Sequence, residues 1–148
     1  MIKKVAHTGI IVSNMEKAIS FYRDLLGLKL LSRKEVKWDD ELSTTMVGVK
    51  GALLKITMLQ TDDDEVELIQ YVVPKGKQHG GKFYDYGGMH LAFEVKDING
   101  LYKKMKEKGI KFHAPPNKVT EGRFKGMTWC YCQDPDGCEL ELIEWGEK

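Results

Sequence analysis

The chain has 148 residues, 42% of them hydrophobic, enough to bury one good core, so one compact domain is the expectation. Lys and Arg number 23 against 22 Asp and Glu, and the resulting net charge of +1 gives no reason to place nucleic acid or a membrane surface among the partners. No stretch approaches the roughly 18 uninterrupted apolar residues of a membrane span, and rigid guanidinium forks for phosphate are scarce, arginine occurring only at Arg23, Arg33 and Arg123.

The opening segment, through Ile10, Ile11 and Val12, reads as a first strand rather than a signal peptide, because its apolar run is short and lacks a small-residue cleavage site. Ser13 and Glu16 then stand in capping-box spacing, so either Ser13 or Asn14 can start a helix. Met15, Ala18, Ile19, Tyr22, Leu25 and Leu26 fall on one helical face, and Gly27 supplies a left-handed stop. Strands are expected around 29–36, 45–50 and 52–59, with Glu65 to Val72 closing the half. Pro74 to Gly88 is a Gly-rich connector without periodicity. His90 opens a second strand–helix unit, with Asp97 as N-cap, an apolar stripe of Ile98, Leu101, Tyr102 and Met105, and Gly109 at its end. Strands follow at roughly 111–114, 127–133 and 138–145, the last two joined by Asp134-Pro135-Asp136-Gly137, where Pro presets a turn and Gly accepts positive φ. The three cysteines, Cys130, Cys132 and Cys138, are an odd set that fits a reducing cytoplasm better than a disulfide framework. Cys130-x-Cys132 admits a zinc site on spacing, but small apolar strand residues are the reading taken here.

The order strand, helix, three or so strands thus occurs twice, as module one over about 1–73 and module two over about 88–148, joined by a connector at 74–87. Neither half can bury a sheet face alone, so the two are expected to share one curved sheet in an α+β domain, helices outside and a concave interior within. The repeat sets chemistry at matching points. His7 and His90 stand in the first strand of each half, and Glu65-Val66-Glu67-Leu68-Ile69 matches Glu139-Leu140-Glu141-Leu142-Ile143. Two imidazoles and two carboxylates balance a dication and suit Zn, Ni, Co, Fe or Mn in N2O2 ligation, leaving positions for substrate oxygens. Strand parity places Glu65 with Glu67 and Glu139 with Glu141, so parity alone does not choose within either pair. A lone strand histidine is more often structural and a lone strand glutamate more often solvated; the repeat-equivalent placement is what raises these residues above that background. His79 and His113 lack repeat partners and are read as non-ligands.

At this point the chain resembles the vicinal oxygen chelate superfamily, which holds glyoxalase I, methylmalonyl-CoA epimerase, bleomycin-binding and fosfomycin-resistance proteins, and extradiol dioxygenases. The resemblance runs over essentially the whole chain and is carried by His7-Thr8-Gly9-Ile10-Ile11-Val12, the segment Ala18 to Gly27, Gly88-Met89-His90-Leu91-Ala92-Phe93, and Asp134 to Glu144. It implies two paired βαβββ modules forming a U-shaped sheet around a metal-binding cleft. It also implies the ligand set His7, Glu67, His90 and Glu141, one divalent ion per site, and Glu141 as first choice of catalytic base with Glu67 as second. The activity it implies is that of a lyase or isomerase of the glyoxalase type, moving a proton next to a carbonyl through an enediolate that the metal supports. The substrate would be a small thiol conjugate or acyl-CoA, and the assembly a homodimer.

Within the superfamily, three other branches compete. Drug-binding members resemble the fold but usually lack the metal set, and extradiol dioxygenases replace the first-half carboxylate, so Glu67 favours the glyoxalase or epimerase branch. Glyoxalase I proteins usually carry Asn four residues after the first ligand Glu, where Tyr71 stands here, and a basic residue at the position of Asp24, beside which Arg23 lies. Both departures count against glutathione itself. The stretch Glu35 to Glu41 offers no match for the additional catalytic Glu of the epimerases. Tyr71, Arg123 and Lys125 are the candidate substrate contacts, the last two in Gly122-Arg123-Phe124-Lys125-Gly126, whose glycines suit a mobile lid as readily as a solvated loop.

Overall fold

Alternation of apolar residues with two different periods makes the same topological unit twice. The computed structural model describes residues 1–38 and 47–146, and they divide into two units, Met1–Gln78 and His79–Lys148, with the boundary inside the segment read as the connector.

In the first unit, β1 (Thr8–Ile11) leads into α1 (Met15–Ile19), which continues as a π-helical turn over Ser20–Leu25 before β2 (Lys29–Trp38), β3 (Ala52–Gln60) and β4 (Glu65–Val73). The strands lie in the order β1-β4-β3-β2; β1 runs parallel to β4 and the other neighbours are antiparallel. Of the two capping candidates it is Asn14 that caps, its Oδ1 accepting from the Lys17 N–H at 3.0 Å. The helical segment turns Met15, Ala18, Ile19, Phe21, Tyr22 and Leu25 inward, against a sheet face built from Ile10, Val66, Leu68, Thr57 and Leu59, all buried. Burying side chains of this size is worth about 1.5–3 kcal/mol each. Gly27 at φ 88° ends the helical segment in the left-handed region.

The second unit has β5 (His90–Glu94), α2 (Ile98–Glu107), β6 (Asn117–Lys118), β7 (Thr128–Gln133) and β8 (Glu139–Glu144), in the order β5-β8-β7-β6. Its pairing repeats that of the first unit, β5 parallel to β8 and the rest antiparallel. Asp97 caps α2 through the Gly100 N–H at 3.0 Å, and Glu144 of β8 accepts from the Asp97 N–H at 2.5 Å, tying the helix start to the sheet. The buried side chains Phe93, Ile98, Met105, Leu140 and Leu142 fill the space between helix and sheet.

Two expected strands differ. Over 47–50 the chain forms no strand, and β2 and β3 pair directly with each other up to Trp38 opposite Ala52; residues 45 and 46 of that expected strand lie outside the described residues. At 111–114 only Phe112 forms a bridge, to Cys132. Pro115 and Pro116 have no N–H to give, so pairing with β7 resumes only at Asn117. No helix among the described residues is long and apolar enough to cross a membrane.

Cys130 and Cys132 pair in register with Leu142 and Leu140 on the buried side of β7. Burial pushes the Cys130 thiol up to about 11 and those of Cys132 and Cys138 up to about 12. All three should therefore resist iodoacetamide at pH 8 in the folded chain and react after denaturation, as mass spectrometry of the alkylated protein can count. The sign of the linkage follows: the unfolded thiols lose protons near 9 while the folded ones hold theirs, so stability is retained below pH 9 and falls as pH rises beyond it.

Candidate metal centre

Strand parity places Ile10 on the helix side of β1, leaving His7, Gly9 and Ile11 on the opposite face. On β4 the same face carries Glu65, Glu67 and Ile69, because Val66 and Leu68 point to the helix. His7 stands one residue before β1, whose ladder begins with Thr8 opposite Val66. Gly9 is level with Glu67, so the histidine and Glu67 meet on a diagonal, His7 Nε2 lying 3.4 Å from Glu67 Oε2. The second unit repeats this arrangement. His90 opens β5, Ala92 is level with Glu141, and His90 Nε2 lies 3.2 Å from Glu141 Oε2. Burial matches as well, the imidazoles being 46% and 47% exposed and the carboxylates 21% and 14%. The choice that parity left open is thereby made by distance: Glu67 and Glu141 are the carboxylates beside the histidines.

These spacings suit a shared ion. Two donors each about 2.1 Å from a metal stand about 3.0 Å apart at a right angle and about 3.4 Å apart at a tetrahedral one, which brackets both pairs. Within each unit, among the described residues, no third His, Cys, Asp or Glu gathers to make a group of three. Each unit thus offers one nitrogen and one oxygen.

Glu139 has a different task. It is buried, and its carboxylate accepts from Gln133 Nε2 at 2.6 Å and meets His113 Nε2 at 2.8 Å. The Asp134–Cys138 turn sets this up: Asp134 Oδ1 accepts from the N–H groups of Asp136 at 2.9 Å and Cys138 at 2.8 Å, with Gly137 at φ 86°. That turn makes Gln133 face Glu139 and Tyr131 face Glu141. The Tyr131 ring stands edge-on to His90, centroids 5.3 Å apart, and to His113 at 6.2 Å. Burial, and then the charges of Glu141 and Glu139, push the Tyr131 phenol up, keeping it protonated. His113, Gln133 and Tyr131 were not reached from the sequence. His113 has no repeat partner, and the signal that would have found Gln133 is the length of the Asp134–Cys138 turn, which fixes the register of β7 on β8.

Tyr71, Arg123 and Lys125 are the residues expected to contact a substrate held by these pairs. Among the described residues Tyr71, Arg123 and Lys125 make no hydrogen bond or ion pair to either one. Tyr71 sits half-buried on β4 opposite Leu54. The Arg123 guanidinium lies over the Phe124 ring, 5.6 Å from its centroid, in a loop whose ends are fastened by Val119 and Met127, N to O 2.8 Å. Arg23 is engaged with Asp24, Nε to Oδ1 2.6 Å, and this hydrogen bond holds the Asp24 carboxyl below its ordinary range. Glu35 lies exposed on β2 opposite Lys55, and Glu41 is outside the described residues.

The chain is 27% identical over 142 residues to the 2-epi-5-epi-valiolone epimerase of an Actinomyces species, covering 94% of this chain and 78% of that one. It is 28% identical over 144 residues to a probable lactoylglutathione lyase of a Synechocystis species, covering 96% of this chain and 95% of the other. Among solved structures, a glyoxalase family protein from Bacillus cereus superposes with a TM-score of 0.83 at 21% identity, over 99% of this chain and 97% of that one, which shows the shared fold. Residues 4–142 match the profile of one family, and the chain belongs to it: the Glyoxalase/Bleomycin resistance protein/Dioxygenase superfamily.

Proposed function

We propose that the chain is a divalent-metal-dependent lyase or isomerase that moves a proton on the carbon beside a carbonyl, with one ion held by one pair of each kind, His7 with Glu67 and His90 with Glu141. The observation that carries this reading is the His–Glu diagonal repeated at the same ladder position, with 3.4 and 3.2 Å between donors. Zn, Ni, Co, Fe and Mn all accept this donor set. When bound, such an ion supplies Lewis-acid stabilisation of the negative charge that builds on a carbonyl oxygen as the neighbouring carbon loses its proton.

In this reading Glu141 is the base. Its carboxylate is the less exposed of the two, 14% against 21%, and Tyr131 stands opposite it on β7. It takes the proton from carbon and returns it. Delivery to the adjacent carbon gives the lyase or isomerase outcome; delivery to the same carbon gives epimerisation. Glu67 stands in the equivalent place to act from the other pair. The likeness to a probable lactoylglutathione lyase supports a small thiol conjugate as substrate, and that to an epimerase supports same-carbon return as the second reading. A single domain with modules at about 1–73 and 88–148, working as a cytoplasmic homodimer, completes the proposal.

The test is deuterium wash-in. In heavy water, with the methylglyoxal–glutathione hemithioacetal and with methylmalonyl-CoA as probes, solvent deuterium should appear in product or in recovered substrate, read by proton NMR. Oxygen uptake in its place would point to a dioxygenase, and neither signal on any carbonyl probe would leave a binding protein.

A further inference from the structure

The group formed by His113, Glu139, Gln133 and Tyr131 has no part in holding the proposed ion, and its polarity can be read atom by atom. Phe112 packs on Tyr102 of α2, ring centroids 4.7 Å apart, so the next residue, His113, projects to the other face of the sheet, the one that carries His90 and Glu141. There the buried Glu139 lies level with His90 across β5 and β8. An ionised carboxylate only accepts hydrogen bonds, so both of its neighbours must donate to it: His113 from Nε2 at 2.8 Å and Gln133 from Nε2 at 2.6 Å.

Those two bonds decide what the neighbours can offer elsewhere. A neutral imidazole that donates from Nε2 is an acceptor at Nδ1, and an amide whose nitrogen is turned to Glu139 presents its carbonyl oxygen. Neither His113 Nδ1 nor Gln133 Oε1 has a hydrogen-bond partner among the described residues. The His113 side chain is 42% exposed while the carboxylate behind it is 8% exposed, the arrangement in which a buried acid holds an accessible imidazole in one orientation. Phe83 supports the ring from the side, centroids 5.2 Å apart. With His113 in its neutral form, the sheet offers two acceptors beside the His90–Glu141 pair with a carboxylate behind them.

We propose that His113 and Gln133, oriented by Glu139, form a subsite for hydrogen-bond donors, and that the substrate of this chain carries a hydroxyl next to its reacting carbonyl, as a hemithioacetal or a hydroxyketone does, rather than a carboxylate there. A hydroxyl gives its proton to His113 Nδ1 or Gln133 Oε1; a carboxylate has none to give and meets the charge of Glu139. The proposal deepens the proton-transfer reading and rests on it for the placing of the carbonyl at the ion. Its own evidence is the direction of the two bonds to Glu139.

Binding can be measured without turnover. Ligand-observed NMR titration of the full-length protein, with and without added Mn(II), would compare erythrulose, butanedione and pyruvate. Erythrulose offers hydroxyls beside its ketone, butanedione offers two oxygens without a donor, and pyruvate carries a carboxylate. The wild type should bind erythrulose about tenfold tighter than either of the others. His113→Phe should erase that preference with metal content unchanged, and His113→Gln, which keeps an acceptor, should restore part of it. Equal affinities, a preference for pyruvate, no measurable erythrulose binding, or a preference that survives in His113→Phe would each overturn the proposal. Failure of the proton-transfer reading looks different: deuterium wash-in is then absent while the erythrulose preference persists.

Discussion

Changing Glu141 to Gln should slow deuterium wash-in by about 100-fold or more while the chain stays folded. Glutamine keeps the shape of the side chain and an oxygen to face the ion, but it has no basic site to accept a carbon-bound proton. Loss of a positioned base or of one electrostatic support typically costs about 100- to 1,000-fold, or roughly 2.7–4 kcal/mol of barrier. The same change at Glu67 should cost less in the lyase direction, because Glu141 is the less exposed carboxylate, 14% against 21%, and so the better shielded base. The contrast is read from initial rates of exchange on one probe under saturating metal, with thermal melts as a check on folding. Equal small losses in both variants would remove Glu141 from its role.

Much of this was legible in the residues because it depends on local periodicity. The helical face from Met15 to Leu25, the glycine stop at Gly27 and the turn at Asp134 to Gly137 all follow from side-chain spacing and from backbone conformations that few residues adopt. The doubled pattern gave the topology, since a strand, a helix and a three-stranded meander have few ways to close a sheet. What escaped depends on register and on contacts distant in sequence. Glu65 and Glu67 share a face, and only the diagonal across β1 and β4 brings Glu67 to His7. His113 looked idle because no residue matches it in the first half; its partner is Glu139, found only once β7 and β8 are paired and Phe112 has bridged to Cys132. The expected strand at 111–114 shrank for a reason visible in hindsight, two prolines that cannot donate to a ladder.

The second large effect concerns the histidines. Replacing His90 with Ala should weaken divalent-metal binding at least about 100-fold, more than the 10- to 100-fold that loss of an outer-shell partner costs, because an inner ligand is removed and Glu141 keeps its charge. His7→Ala should weaken it comparably, since the two pairs match in spacing and exposure. His113→Ala should leave affinity within a few-fold, its Nε2 being committed to Glu139. That ordering separates the proposed ligands from the histidine next door.

The most direct measurement is therefore metal content and affinity together, on protein purified without nickel resin. Elemental analysis gives ions per chain, and competition with a chromophoric chelator gives the constant, for the wild type and the three alanine variants. One ion for each His7–Glu67 and His90–Glu141 set, lost on altering either His7 or His90 and kept on altering His113, is the result expected here. A wild type that takes up no divalent ion, or one whose ion survives in both His7→Ala and His90→Ala, would contradict it.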